Sequence, residues 1–533
     1  MMSDCLLIYP NPSEDATVRG PALSIFYPGA HAENNGLTID YYDQRMDSPE
    51  KLKTCLENTM MVGISSMTGN QLRQTVNLLE MIKRDYPSLP IVMGGVHPSM
   101  QPLETMKNQH VDFAVIGEGE ETLTELIKAV KNGQAYDKIL GLIWRKEGQV
   151  IRNADRPQLR MANLPFPVTE KSKPYYQLAS KYNELFYIHS RGCPYKCRFC
   201  YNLEFNDAKW RLMPADKMER EIGMLNEICG GINYLFLNDD YLGSNPAVIK
   251  RVSSVMKKYN IRWGTCLRAS DIREDSLPLF VEGGLDRALF GLETGSERLL
   301  NGIIGKGLVQ GLEDIRRCVT LLSKTNIFPT YSFMCNVPTE TRDDIKKTLS
   351  MMDWIHKTDS KARLGLYVYT PYPGTPMFND ALEQGFTMPE SLEQWGEMSL
   401  HNAHFSKRAE SLYYLAGLVF RRDVSRQKFP GILRLMILPF EWSASIRWKL
   451  RFWSFYEFEK RCVMWLFKFG TSFRFRRQKQ LAAEKAKEPA FLMHLGDSEK
   501  EDQEILDSLE GVCQPESPRE VKRSLYANAT SVG

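Results

Sequence analysis

No run of about 20 apolar residues occurs in the 533-residue chain, so the sequence offers no membrane-spanning helix. Charge of one sign is equally scarce. The 68 Lys and Arg against 65 Asp and Glu leave +3, and that balance gives no global reason to expect nucleic acid. The opening residues, Met1-Met2-Ser3-Asp4, lack the basic and long apolar regions of a signal peptide. A cytoplasmic location is the expectation. A disulfide framework is missing too, because the eleven cysteines are odd in number and spread over a long chain. What is present is ordinary for a folded chain: 43% hydrophobic and 25% charged residues. These values exclude disorder as the main state, and the length suggests about three folding units.

Residues 1–145 alternate short apolar runs with helical patterns. The runs are Leu6-Leu7-Ile8-Tyr9, Leu37 to Tyr42, Met60 to Ser65, Ile91 to Gly95 and Phe113 to Gly117. An amphipathic helix carrying Val76, Leu79 and Ile82 separates the third run from the fourth. Such alternation predicts a doubly wound parallel sheet, which binds ligands at the carboxyl ends of its strands. Those ends carry Ser65, Gly94-Gly95 and Gly117-Glu118, and glycine lets backbone approach a ligand closely.

Residues 146–183 read as a linker punctuated by Pro157, Pro165, Pro167 and Pro174. Over 184–376 a strand–helix unit repeats about six times, with strands expected at 184–190, 232–238, 261–267, 287–292, 328–336 and 362–370. Six units fall short of an eight-unit barrel and predict an open partial (β/α)6 barrel. A helical C-terminal region is expected over 377–480, so the fold class is α/β with helices appended. Within it, 431–480 hold eleven Lys or Arg, three Asp or Glu and thirteen aromatics, a local +8. Residues 481–533 turn polar and read as a mobile tail.

The strongest local signal is Cys193-Pro194-Tyr195-Lys196-Cys197-Arg198-Phe199-Cys200, directly after a strand. Three thiolates on one short loop can converge on one metal centre. An iron–sulfur cluster takes cysteine thiolates, and three local ligands leave one iron open. A structural zinc would need a fourth ligand; Cys229 and His189 keep that alternative open on spacing alone.

This motif resembles the radical S-adenosylmethionine (SAM) superfamily, in which three cysteines with this spacing hold a 4Fe-4S cluster. The resemblance implies that the open iron chelates the methionine part of SAM, and that an electron cleaves SAM to a 5′-deoxyadenosyl radical. A reductant such as flavodoxin or ferredoxin is implied with it. Phe199 matches the aromatic beside the third cysteine, near the adenine. Asp239 and Asp240 after the second strand, Arg268 after the third and Glu293 after the fourth match positions near the SAM amino group, ribose and carboxylate. Helix capping is the plainer role for Asp240. Asn336-Val337-Pro338-Thr339-Glu340-Thr341 resembles the family's Gly-Leu-Pro-Gly-Glu-Thr turn, with Asn336 and Thr339 in place of two glycines.

The domain order further resembles the cobalamin-binding class of that superfamily, on Gly94-Gly95-Val96-His97-Pro98-Ser99 and Ile116-Gly117-Glu118-Gly119-Glu120-Glu121-Thr122. It covers about residues 1–430. It implies cobalamin over Ser65, Gly94, Gly95, Gly117 and Glu118, facing the barrel. The Asp-x-His-x-x-Gly motif that supplies a histidine to cobalt elsewhere is absent. His97 reads as a hydrogen-bonding loop residue rather than a cobalt ligand.

Three functions follow, in order. The first is methylation of an unactivated carbon by a cobalamin-dependent methyltransferase. The second is oxidative cyclisation or ring rearrangement, as in magnesium-protoporphyrin ester cyclases. The third is a non-enzymatic cluster-bearing sensor. Arg447-Trp448-Lys449-Leu450-Arg451-Phe452-Trp453 and Phe473-Arg474-Phe475-Arg476-Arg477 interleave cations with aromatics. They fit helices packed on the barrel, contact with an anionic membrane, or, last, single-stranded nucleic acid. Membrane contact would suit a lipid or tetrapyrrole substrate; otherwise a small molecule is expected, and nucleic acid is not.

Overall fold

The computed structural model describes residues 2–12, 20–243, 245–307, 309–398, 407–420 and 438–451. The expected polar tail, and most of the basic–aromatic stretch, lie outside them.

Five parallel strands build the first sheet: β1 (Cys5–Tyr9), β2 (Ile39–Asp43), β3 (Val62–Ser65), β4 (Ile91–Gly94) and β5 (Phe113–Val115). Their order is β2-β1-β3-β4-β5, so the chain reverses direction across the sheet at β1 and β3. Helices cover both faces, which is why β1, β3 and β4 are almost uninterrupted apolar runs. Two antiparallel strands, β6 (Leu142–Lys146) and β7 (Gln149–Arg152), then extend the sheet. The segment expected to be a linker is therefore partly built. The boundary at 145/146 falls inside β6, and Lys173–Lys181 is a helix burying Tyr175 and Tyr176. A hairpin at a sheet edge shows no helical or parallel-strand period, which is why proline content alone misread it.

Two short antiparallel strands, β9 (Ser190–Arg191) and β10 (Arg211–Leu212), follow β8 (Leu185–Tyr187) and bracket the cysteine loop. The remaining strands are β11 (Tyr234–Leu237), β12 (Arg262–Leu267), β13 (Leu285–Glu293), β14 (Phe328–Cys335) and β15 (Arg363–Val368). With β8 they form one six-stranded sheet in the order β15-β14-β13-β12-β11-β8, every pair parallel. This is the open six-unit barrel expected. Its helices start where local chemistry directs. Asn245 accepts from the Ala247 amide just before Pro246. Thr341 and Asp344 form a reciprocal capping box at the start of Arg342–Thr358.

After β15 the chain runs back over the first domain. The helix Leu392–Glu397 packs on Asn70–Asp85, and Gly396 sits so close that a Cβ there would fall 2.8 Å from Arg73 backbone. Trp395 is fully buried with Leu72, Val76 and Phe378. The helix Lys407–Phe420 packs beside the barrel edge at β15, and Leu438–Lys449 packs on that helix.

Candidate active site

The cysteine loop leaves β9 through Gly192, whose φ of +82° is left-handed. A Cβ at Gly192 would lie 1.9 Å from the Lys209 carbonyl oxygen, so only glycine fits. The loop is then pinned at several points. The Gly192 amide donates to Asp240 Oδ2 at 3.0 Å and the Tyr201 hydroxyl to Oδ1 at 2.8 Å, so Asp240 ties both ends together. The Arg198 amide donates to the Ile304 carbonyl, and Arg198 Nη2 meets Asp380 at 2.6 Å.

Asp239 is buried and committed to the start of the loop. Its carboxylate accepts from the amides of His189 and Ser190 at 2.8 and 3.0 Å and from the Ser190 hydroxyl at 2.9 Å. Neither aspartate caps a helix; both shape the loop.

Cys193, Cys197 and Cys200 are free thiols within electrostatic reach of one another. Burial pushes the Cys193 thiol up to about 11 and the Cys200 thiol up to about 12. A metal must therefore displace protons to bind them. Among the described residues no three His, Cys, Asp or Glu side chains converge closely enough to hold a single metal ion. Three cysteine thiols on one loop are the donor chemistry that an iron–sulfur cluster takes.

Arg268 follows β12 and reaches the same loop. Its Nη2 donates to Cys197 Sγ at 3.0 Å, and its guanidinium carbon lies 3.6 Å from the centre of the Tyr195 ring. Its backbone amide donates to Asp271 Oδ2, while the Tyr241 hydroxyl donates to Asp271 Oδ1 at 3.0 Å. Arg268 Nη1 is buried with no hydrogen-bond partner in the protein, and so is available to an anionic ligand.

Glu293 sits at a register shift between β13 and β14, with φ of +69°. Lys306 Nζ donates to its Oε1 at 2.9 Å and to the Gly291 carbonyl at 2.5 Å. Gln310 donates to the same carbonyl and accepts from the Ala269 amide, joining the exits of β12 and β13. Asn336 and Thr339 adopt φ of +61° and +65°. The turn keeps a glycine-like backbone without glycine. Phe199 packs with Leu299, Ile304, Val337, Tyr369 and Met377, under the ends of β13–β15.

A cavity of about 700 Å³ lies between the two sheets. Ser65, Gly94, Gly95, Gly117 and Glu118 line it from the first domain, and Cys200, Asp239 and Asp240 from the barrel. Much of the remaining wall is apolar, including Leu7, Ile25, Val92, Val115, Phe186 and Ile188. A Cβ at Gly117 would meet nothing within 4 Å and would project into open space, and one at Gly94 only grazes Val115. These two strand ends form a cradle that suits the face of a large cofactor. Cys193, Cys197, Phe199, Arg268 and Glu293 are not in this wall; they gather at the mouth of the barrel.

Glu118 lines the cavity and is also engaged with the barrel. Its Oε1 accepts from Arg191 Nη1 at 2.8 Å and Arg211 Nη2 at 2.9 Å, and its Oε2 from Arg211 Nη1 at 3.0 Å and the Leu159 amide at 2.7 Å. Arg191 also meets Glu120 at 2.6 Å. Burial raises the Glu118 carboxyl, but Arg191 and Arg211 outweigh it and hold it below the usual carboxylate range. Glu118 is thus the centre of a clamp joining the first domain to the strand before Cys193. His97 is fully buried, shares a 2.8 Å hydrogen bond with the Thr68 hydroxyl and meets Trp395 edge-on at 5.8 Å. It does not line the cavity. Lys306, Gln310, Arg191 and Arg211 carry no local motif, and only Arg191, one residue before the Gly-Cys pair, has a position that could have flagged it.

Comparison with known proteins agrees with this geometry. The Radical SAM superfamily profile matches residues 187–352, and the B12 binding domain profile matches residues 15–127. An uncharacterised methyltransferase of Pyrococcus horikoshii is 26% identical over 443 residues, 79% of this chain and 94% of that protein. The anaerobic magnesium-protoporphyrin IX monomethyl ester cyclase of Synechocystis is 28% identical, over 57% of this chain and 60% of its own. The solved radical SAM methyltransferase TsrM from Kitasatospora setae, with cobalamin and a [4Fe-4S] cluster bound, superposes with a TM-score of 0.60 at 18% identity. That match covers 73% of this chain and 76% of TsrM and shows the shared fold. Two cradles facing each other in one chain, each inside a matched domain, place it with the cobalamin-binding-domain radical SAM enzymes, a family of methyltransferases and related cyclases, whose cofactors are a 4Fe-4S cluster, SAM and cobalamin.

Proposed function

We propose that this enzyme methylates an unactivated carbon, and that its substrate is an apolar lipid or a tetrapyrrole. The carrying observation is the single cavity bounded by Gly94 and Gly117 on one side and by Cys200 on the other. When bound, the cluster and SAM supply a carbon-centred radical and cobalamin supplies a transferable methyl group; the protein supplies position and electrostatics. Cys193, Cys197 and Cys200 would hold the cluster. Arg268, with Nη1 unsatisfied beside Cys197, would receive the SAM carboxylate. Lys306 holds the Glu293 carboxylate in place at the mouth of the barrel. Leu7, Ile25, Val115 and Phe186 give the space between the cradles apolar walls.

The test uses anaerobically purified, metal-loaded enzyme with methyl-labelled SAM and either a lipid extract or a tetrapyrrole. Label in the product, a mass gain of one methylene, and release of both 5′-deoxyadenosine and S-adenosylhomocysteine would support methylation. A product that gains oxygen, or loses hydrogen with no label, would overturn it in favour of the cyclase reading, which the Synechocystis relative keeps in view.

A further inference from the structure

The helix Leu438–Lys449 is built inside out. Its inward side carries Glu441, Ala444, Arg447 and Trp448, all at most 8% exposed. Trp448 Nε1 donates to Asp353 at 2.7 Å, Arg451 meets the same carboxylate at 2.7 Å, and the Trp448 ring meets Phe420 edge-on at 5.0 Å. The outward side carries Leu438, Trp442, Ile446 and Leu450, which are 40%, 71%, 37% and 70% exposed. These residues recur every four positions, so they form one row along the helix and its last turn. At 100° per residue the exposed Lys449 falls on that same side. Helices on protein surfaces normally bury the apolar stripe and expose the charged one. Here the orientation is fixed the other way by the anchoring of Trp448 and Arg451 to Asp353.

We infer that this outward row docks on the surface of an anionic lipid bilayer. Three observations favour that occupant. The row lies within the stretch 431–480, which carries +8 in a chain whose total is +3, so the rest of the sequence is at −5. A basic stretch of sequence that includes an exposed apolar row is the combination that binds acidic headgroups and inserts side chains shallowly. The most exposed member is a tryptophan, the residue that prefers the boundary between headgroups and acyl chains. A second copy of the chain would set one +8 region against another. Single-stranded nucleic acid would find one exposed ring and three aliphatic side chains, which offer little for bases to stack on. No helix among the described residues is long and apolar enough to cross a membrane, so the contact proposed is with the surface.

The experiment floats the full-length, metal-loaded protein with phosphatidylcholine vesicles and with vesicles containing a third phosphatidylglycerol, at low and high salt. The wild type is expected to float with the anionic vesicles at low salt and to stay down with phosphatidylcholine alone. The Trp442→Glu/Ile446→Glu variant is expected to lose at least tenfold in binding with unchanged thermal unfolding, since both positions face solvent. A second measurement needs no disruptive change. Brominated acyl chains should quench wild-type fluorescence more than that of Trp442→Phe. Failure of the wild type to float, equal flotation of the double variant, or a concentration-dependent dimer abolished by the double variant would each overturn the inference. The last two results would assign the row to another segment of this chain or to a second copy. None of these outcomes depends on the reaction proposed above.

Discussion

At the scale of single residues, Arg268 has the most direct leverage on chemistry. A cationic donor 3.0 Å from Cys197 Sγ stabilises added negative charge on a cluster held there. Hydrogen bonds to the sulfurs are one of the determinants of cluster potential. Arg268→Gln should therefore lower the midpoint potential of the cluster, followed by electron paramagnetic resonance during a redox titration, while iron content stays unchanged. His97 offers a test of a different kind. Burial lowers its imidazole to about 3, so it stays neutral in the fold, whereas the unfolded chain takes up a proton near pH 6.5. Stability from this residue is complete above about pH 6.5 and drains away as the pH falls towards about 3. His97→Gln should flatten the pH dependence of the urea midpoint between pH 6 and 4, by up to about 1.4 kcal/mol per pH unit. Thr339 holds a left-handed φ of +65° that a β-branched side chain adopts at a cost. Thr339→Gly should raise stability by about 1 kcal/mol, read from thermal unfolding. The three cysteines were legible because their spacing is local. The partners of Glu293 and Glu118 were not, since Arg211 is 93 residues from Glu118 and only the folded chain brings them together.

At the scale of elements, the parallel strands were readable from continuous apolar runs, and their observed bounds differ from the expected ones by a few residues. Periodicity reports burial on both faces, which parallel strands share. It says nothing about an antiparallel edge such as β6–β7, where Val150 is exposed and the apolar signal is thin. Nor does it reveal which helix a later segment will cover. The clamp around Glu118 is the element-scale device that sets the position of β9, and with it the cysteine loop. Glu118→Gln would leave two largely buried guanidinium groups short of a counter-charge, at a cost of about 2–4 kcal/mol. Differential scanning calorimetry would register that loss, and small-angle scattering should show a larger radius of gyration if the two domains part.

At the scale of the whole molecule, two cofactor cradles sit on separate sheets and meet in one cavity. Their occupancies should be separable. Cys193→Ala, purified anaerobically from cells supplied with cobalamin, should lose most of its iron while retaining about one cobalt per chain. Loss of both metals together would mean that the cluster loop also shapes the cobalamin cradle. The charge of the molecule is polarised as well, and the sum of +3 conceals it. A composition averaged over the chain hides that eleven Lys or Arg fall in the 50 residues 431–480, the stretch that includes the helix with an apolar outer face.

The return of Leu392–Glu397 onto Asn70–Asp85 bears on how the protein is made. Trp395 completes the cluster around Leu72 and Val76, yet it follows them in the chain by roughly 300 residues. At ribosomal speeds of about 5–20 residues per second, the first domain would wait about 15–60 s for its cover. During that interval Leu72, Val76 and their neighbours are open to other nascent chains. The amino-terminal domain expressed alone should be sticky for the same reason, and the order of synthesis makes a holding chaperone most useful while the barrel is still being translated.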